Sequence, residues 1–340
     1  MILLDNNKEE LKKIVLELGE PKFRAQQLNE FLLNDCNSSS LPKNLLEKLK
    51  ENSYTVKAIE INREYKSDSV IKFLYKLNDD NLIEGILILN NYGNTLCLST
   101  QVGCRMGCSF CASTLNGLVR NLSAGEILGQ FVAVNRYLGG NLKNRKIANI
   151  VLMGSGEPLD NYDNVIKFLK LICDEGFSVS RRNISLSTCG LCDKIKELAV
   201  DFPGIVLTIS LHASNDIERK KLMPIANKWS LNELMDSARY YFDLTKRRVI
   251  FEYILIKGEN DSEANAKELK ELINGLSYHV NIIPLNKVSE RDLQCSTNCE
   301  KFLKWLEDMN MSATIRRSLG AEVEGACGQL RQKVLNEIEE

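Results

Sequence analysis

The chain of 340 residues holds only two histidines, His212 and His279, far apart in sequence. Zinc sites built from cysteine and histidine knuckles gather their ligands much more closely. No uninterrupted apolar run reaches roughly 18 residues, so no segment is a candidate membrane-spanning helix. The opening stretch, MILLDNNKEELKKIV, mixes acidic and basic side chains where a secretory leader needs an apolar centre. The expectation is a cytoplasmic protein, monomeric by default and without membrane association. Charge of one sign is also missing: the formal net charge is −1. The overall field therefore neither favours nor disfavours a polyanionic partner, and only local patches decide. There is no low-complexity segment and no internal repeat beyond a strand–helix alternation.

Cysteine, by contrast, is abundant, with eleven residues. Thiols in a reducing compartment do not form a structural disulfide framework. Some should be metal ligands or reactive groups, and the rest small buried hydrophobes. With 44% apolar and 26% charged residues, the chain is long and apolar enough for a large core.

Residues 1–55 read as a helical appendage, with an apolar stripe of Leu11, Ile14, Val15 and Leu18 in the first helix and two further amphipathic helices. Residues 56–92 change period: Val70, Lys72, Leu74 and Lys76 alternate with Ile71, Phe73 and Tyr75, and Asp79-Asp80-Asn81 supplies a turn before Leu82–Leu89. That pattern predicts a β-hairpin. Residues 93–315 alternate strands, predicted near 95–100, 147–153, 183–187, 205–211, 248–254 and 279–283, with amphipathic helices. This predicts an α/β fold with a parallel sheet, either a doubly wound sheet or a partial barrel. Residues 316–340 form a C-terminal segment.

The strongest local signal is Cys104-Arg-Met-Gly-Cys108-Ser-Phe-Cys111, a C-x3-C-x2-C array directly after the first predicted barrel strand. Three thiolates on one loop suit a metal site. A [4Fe–4S] cluster held by three cysteines leaves one iron open; zinc would need a fourth, distant ligand; three buried thiols are the plainest alternative. Sites in βα-barrels gather at the C-terminal ends of strands. Polar residues recur there: Gly154-Ser155-Gly156-Glu157-Pro158 after the second strand, Ser187-Thr188 at the end of the third, Ser210-Leu211-His212 at the fourth, and Pro284-Leu285-Asn286 after the sixth. Taken singly, Ser187 or Ser210 reads as a strand-end cap, and His212 as a structural histidine.

The array with Phe110 before its last cysteine resembles the signature of radical S-adenosylmethionine enzymes. With Gly-x-Gly-Glu-Pro, Leu-Ser-Thr, Ser-Leu-His and Ala326-Cys327-Gly328-Gln329, the chain resembles the 23S rRNA adenine-C2 methyltransferases of that superfamily, from Gly19-Glu20-Pro21 to Gln329. The resemblance implies a partial (β/α)6 barrel and a [4Fe–4S] cluster on Cys104, Cys108 and Cys111. It implies S-adenosylmethionine contacts from Gly156, Glu157, Ser187, Ser210, Leu211, His212 and Asn286, with two molecules used per turnover. Ser155 stands where many relatives carry Met. Cys327 matches the cysteine that is methylated, Cys97 the resolving cysteine that ends in a transient disulfide with it, and Glu84 the proton acceptor.

The implied partners are 23S rRNA at the peptidyl-transferase centre, transfer RNA as a second candidate, and an electron donor such as flavodoxin or ferredoxin. The helical appendage and Arg316-Arg317-Ser318-Leu319-Gly320 match the housekeeping type rather than the C8-methylating resistance type. A radical enzyme with a protein or small-molecule substrate would need the cluster but not Cys97 and Cys327 as a pair, and a non-enzymatic zinc-binding RNA module would bind zinc, be colourless and turn over no cosubstrate.

Cys189-Gly-Leu-Cys192 has the spacing of a redox pair or of half a zinc site, with Cys295-Ser-Thr-Asn-Cys299 as the other half. None of the four carries a role in the family, and they read as inert thiols; Cys36 and Cys173 read as packing residues. Arg181-Arg182, Arg219-Lys220-Lys221, Lys246-Arg247-Arg248 and Arg316-Arg317 are basic clusters able to hold phosphates; the run at Lys220-Lys221 reads as a solvated face, and Arg181-Arg182 and Arg316-Arg317 as lying on the substrate side.

Overall fold

The computed structural model describes residues 1–37, 41–286, 288, 290–316, 330 and 334. Cys327 and Arg317 lie outside the described residues, so the assignments made to them have no structural counterpart here.

Three helices come first, α1 (Lys8–Glu17), α2 (Arg24–Leu33) and α3 (Lys43–Glu51). A reciprocal capping box starts α1: the Asn7 side chain accepts the Glu10 amide and the Glu10 carboxylate accepts the Asn7 amide, which satisfies two of the donors a helix start leaves open. Leu11, Val15, Leu28, Leu45 and Leu49 from these helices join the main hydrophobic core rather than a core of their own.

An antiparallel meander follows, β1 (Ile59–Lys66), β2 (Val70–Leu77) and β3 (Leu82–Ile88). The sequence predicts only the last two strands. Most of β1 is exposed, so it lacks the apolar alternation by which a strand is recognised. The meander continues the main sheet, because β3 pairs antiparallel with β4 (Asn94–Cys97). The strand predicted over 95–100 ends at Cys97 for an identifiable reason. The Gln130 side chain takes over the role of a neighbouring strand at Ser99, accepting its amide at 3.0 Å and donating to its carbonyl at 2.9 Å.

The chain then forms a two-stranded ribbon, β5 (Gln101–Gly103) and β6 (Leu118–Asn121), and enters α4 (Ala124–Tyr137). The alternation follows: β7 (Ile147–Leu152), α5 (Tyr162–Lys170), β8 (Ile184–Thr188), α6 (Cys192–Asp201), β9 (Val206–Ser210), α7 (Asp216–Leu222), α8 (Leu231–Thr245), β10 (Val249–Leu255), α9 (Glu263–Leu272), β11 (Tyr278–Pro284), α10 (Cys299–Asp308) and β12 (Ala313–Ile315). The described strands make a sheet in the order β1-β2-β3-β4-β7-β8-β9-β10-β11-β12, parallel from β4 onward. The fold is the α/β partial barrel expected, extended by the short β12 and by α7, neither of which the sequence pattern predicts. Helix α4 is buried over almost its whole length, as expected of a helix covered on both sides, and its Gly125 amide donates to Asp5. Among the described residues no helix is long and apolar enough to cross a membrane.

Candidate active site

The parallel strands deliver their C-terminal ends to a cavity of about 510 Å³. Cys104, Cys108 and Cys111 line one wall, and Cys97, at the end of β4, lines another. Gly156, Glu157, Ser187, Ser210, His212 and Asn286 also line it. Six separate loop or strand-end segments thus converge on one space, as a barrel's geometry predicts.

The cysteine loop is the connection between β5 and β6. Gly103, with φ +77°, opens it, and a β-carbon there would sit 2.0 Å from the Gly117 carbonyl; only glycine fits. The Cys104 amide donates to that same carbonyl, Ser109 donates to the Leu222 carbonyl, and the Thr114 hydroxyl bonds the Cys108 and Cys111 carbonyls. The loop is held by its backbone, which leaves the sulfurs to face the cavity.

Cys104 and Cys108 are buried and Cys111 is half-buried. Burial pushes the Cys104 thiol up to about 12 and raises that of Cys108 as well. Such thiols stay protonated alone, whereas a metal replaces the proton and compensates the thiolate charge. Three soft sulfur donors on one loop at the cavity fit an iron–sulfur cluster. Among the described residues no three metal-ligating side chains, the loop cysteines included, are grouped closely enough to hold a single ion, and Cys189, Cys192, Cys295 and Cys299 are not gathered into a zinc site either. Cys189 lines the cavity, Cys192 packs in the core, and the Cys295 and Cys299 thiols both bond the Ser296 carbonyl. Cys36 and Cys173 are half-buried against the core.

Both carboxylate oxygens of Glu157 are engaged, with acceptor capacity left on each. Its Oε1 accepts the Leu159 amide at 3.0 Å and its Oε2 the Cys189 amide at 2.7 Å. Burial raises its pKa, and those amides pull it back down. His212 sits at φ +58°, a backbone region uncommon for such a residue and concentrated at functional sites. Asn260 holds it there by donating to the His212 carbonyl at 2.8 Å. Its Nδ1 accepts the Ile254 amide at 3.1 Å, and its ring meets Phe110 edge-on with centroids 4.8 Å apart. Burial, then the nearby Arg219, lowers its pKa to about 3, so the imidazole is neutral. The Ser187 and Ser210 hydroxyls are 3.3 Å apart across β8 and β9.

Two of the expected residues stand apart from the cavity surface. Leu211 is fully buried, and its amide and carbonyl are taken by the Glu252 carbonyl and Arg219 Nε. Glu84 lies on β3 beside the cavity rather than in its lining; its carbonyl accepts the Ser99 hydroxyl, which in turn accepts the Ser155 amide.

The basic clusters need correction. Arg219 is completely buried and ties the Cys189, Ser210 and Leu211 carbonyls together, so it is no phosphate contact. Arg181 lies before β8, at the end of the sheet opposite the cavity, over the Phe202 ring and near Asp174. Arg316 does line the cavity, 3.1 Å from Glu252. Glu252, a buried carboxylate on the cavity wall, goes unnoticed in the sequence because it interrupts an apolar strand, VIFEYIL.

Residues 98–269 match the model of the Radical SAM superfamily. A probable dual-specificity RNA methyltransferase RlmN of Clostridium botulinum (strain Alaska E43 / Type E3) is 45% identical over 98% of this chain and 97% of its own length. Its counterpart in Clostridium novyi (strain NT) is 46% identical over 98% of both chains. A radical SAM methyltransferase from Sphaerobacter thermophilus superposes with a TM-score of 0.91 at 37% identity, over 97% of this chain and 98% of that one.

Proposed function

The chain belongs to the radical SAM superfamily and, within it, to the RlmN family of dual-specificity RNA methyltransferases, and from that premise we propose that it methylates C2 of an adenine in 23S rRNA through a cysteine relay, with an adenine of transfer RNA as its second substrate. The observation that carries this reading is the position of Cys97: of the two thiols outside the cluster loop that line the cavity, Cys97 and Cys189, it is the one on the sheet face shared with β3, opposite Ile86.

Cys104, Cys108 and Cys111 would hold the cluster, and Gly156, Glu157, Ser187, Ser210, His212 and Asn286 the cosubstrate. When bound, cluster and S-adenosylmethionine supply one-electron cleavage that removes hydrogen from an unactivated methyl group. The C2 ring carbon has no nucleophilic lone pair, so a methyl group cannot reach it by direct displacement. A thiolate, a strong nucleophile once deprotonated, takes the methyl from a first cosubstrate molecule, and a second is the radical source. Cys327 is that thiolate in this reading. Leu330, three residues further along, packs on Leu74 and Leu82, which flank Glu84 on its sheet face. The Cys327 methylene carbon, left with an unpaired electron, adds to C2 and tethers the base to the protein. Glu84 accepts the C2 proton as the adduct's odd electron would pass to the bound cluster. The Cys97 thiolate then attacks the Cys327 sulfur, and the sulfur–carbon bond breaks with its electron pair on carbon. That carbon takes up a proton as the new methyl group, and the disulfide left behind is reduced by an external reductant. A flavodoxin or ferredoxin serves as electron donor, and the protein acts as a monomer in the cytoplasm.

The test is anaerobic reconstitution with iron and sulfide, followed by reaction with a 23S rRNA fragment deuterated at adenine C2. Wild type should release 2-methyladenine with loss of that deuterium, and Cys327→Ala should not. An 8-methyladenine product overturns the regiochemistry, and methylation by Cys327→Ala overturns the relay.

A further inference from the structure

Lysine is among the residues least often fully buried, yet Lys72 is 0% exposed. Its Nζ lies 3.3 Å from Glu84 Oε2, and the Glu84 side chain is only 4% exposed. Taking two charges out of water costs desolvation that their attraction seldom exceeds, and well-packed apolar residues of similar size are often at least as stabilising. Leu74 and Leu82, the next residues on the same face of β2 and β3, are such residues. Stability alone therefore gives no reason for an ion pair here.

Its place in the sheet gives one. Lys72 stands opposite Ile86, and Ile86 opposite Cys97. Residues directly opposite each other point to the same face, so Lys72, Ile86 and Cys97 form one cross-strand row, with Glu84 diagonal to Lys72. Val70, Ile86, Ile88 and Cys97 of that face line the cavity. Leu74 and Leu82 of the same face are covered by Leu330 and Val334. The ion pair thus sits at the seam between the thiol-lined cavity and the place where the C-terminal segment is anchored.

We propose that Lys72 is a positioning residue that holds Glu84 as a charged, oriented proton acceptor at this seam; the proposal rests on the assignment of Glu84 made above. A carboxylate buried without a countercharge neutralises by taking up a proton, and a carboxylic acid cannot then accept one from a substrate. The ammonium supplies the countercharge. A lysine suits the task better than an arginine, because a guanidinium fork engages both carboxylate oxygens at once whereas an ammonium acts as a point charge. In the transfer the C2–H bond breaks, its electron pair stays with the adenine ring, and its proton passes to Glu84; Lys72 exchanges none.

The experiment compares reconstituted wild type, Glu84→Gln and Lys72→Met on the rRNA fragment. It reads melting temperature, 5′-deoxyadenosine formed, methyladenine released, and covalent protein–RNA species on denaturing gels. Lys72→Met should form 5′-deoxyadenosine as wild type does, release methyladenine roughly a hundredfold more slowly, the scale of a lost proton-transfer group, and accumulate the covalent species, as Glu84→Gln does. If Lys72→Met releases product at the wild-type rate while Glu84→Gln does not, the role of Lys72 fails and that of Glu84 stands. If Glu84→Gln itself releases product normally, the acceptor assignment fails and this inference with it. If Lys72→Met loses 5′-deoxyadenosine formation and product release in equal proportion, the pair is structural only and the proposal is overturned. Lys72→Gln, which keeps a hydrogen-bond donor beside Glu84 without the charge, answers the same question if Lys72→Met does not fold.

Discussion

Glu157 and Cys189 are joined across the ends of two neighbouring strands, with Glu157 Oε2 accepting the Cys189 amide at 2.7 Å. The second carboxylate oxygen accepts the Leu159 amide, so one buried side chain fixes the loop after β7 to the end of β8 while its carboxylate lines the cavity. Glu157→Gln keeps the shape but replaces one acceptor oxygen with an amide nitrogen facing a backbone donor. Leaving such a buried donor unsatisfied costs about 1–3 kcal/mol. The expected outcome is a lower denaturation midpoint and weaker S-adenosylmethionine binding by calorimetry. Unchanged stability would show that the bridge does not form.

Gly156 tests the same junction from the backbone side. It has φ +106°, and a β-carbon would stand 2.6 Å from the Gln101 β-carbon and 2.8 Å from the Gln101 nitrogen. Neither neighbour can yield easily, because the Gln101 side chain receives the Glu157 amide and donates to Asn121 and Asp160. Gly156→Ala should therefore lose about 2 kcal/mol or more of stability, combining backbone strain with overpacking. Chemical denaturation measures it directly, and a neutral result would mean that the loop relaxes away from Gln101.

What is legible in the sequence divides along physical lines. The cysteine array, the polar strand ends and the strand–helix alternation are local patterns, and the fold places them as their spacing predicts. Lys72 reads as the polar half of an alternating strand, but the face it occupies is closed by the cavity wall and by Leu330 and Val334, contacts remote in sequence. Arg219 sits in what reads as a solvated basic run and is instead a buried tie between strand ends. Glu84 stands out only through the family resemblance, because nothing near it in sequence marks burial or an ionic partner. Helix α7 and strand β12, seven and three residues long, are too short for periodicity to reveal.

The cysteines separate into groups that respond differently to substitution. Cys108→Ser replaces a soft thiolate with a hard hydroxyl on the cavity wall, and iron and sulfide content after reconstitution should fall sharply. Cys295→Ser and Cys299→Ser alter thiols bonded to the Ser296 carbonyl, and iron content should match wild type. Iron loss from the second pair would show that the cluster site extends beyond the loop, and retention by Cys108→Ser would remove that residue from the ligand set.

His212 gives the protein a predictable pH dependence. Its imidazole is buried and neutral, with Nδ1 accepting the Ile254 amide, and its pKa is lowered from 6.5 to about 3, first by burial and then by Arg219. In the unfolded chain a histidine takes up a proton below about pH 6.5. Between that value and 3 the unfolded state thus binds one more proton at this site than the folded state does. Stability from this group is complete above the unfolded value and is lost as pH falls through the window, by about 1.4 kcal/mol per pH unit once well inside it. His212→Gln removes the group from both states while the carboxylates and His279 titrate alike in the two proteins. Denaturation at about pH 7 and about pH 5 should therefore show a smaller acid-side loss for His212→Gln than for wild type, on the scale of this linkage. Parallel losses in the two proteins would mean that His212 is protonated in the fold, and its hydrogen bond from Ile254 would then have to be abandoned.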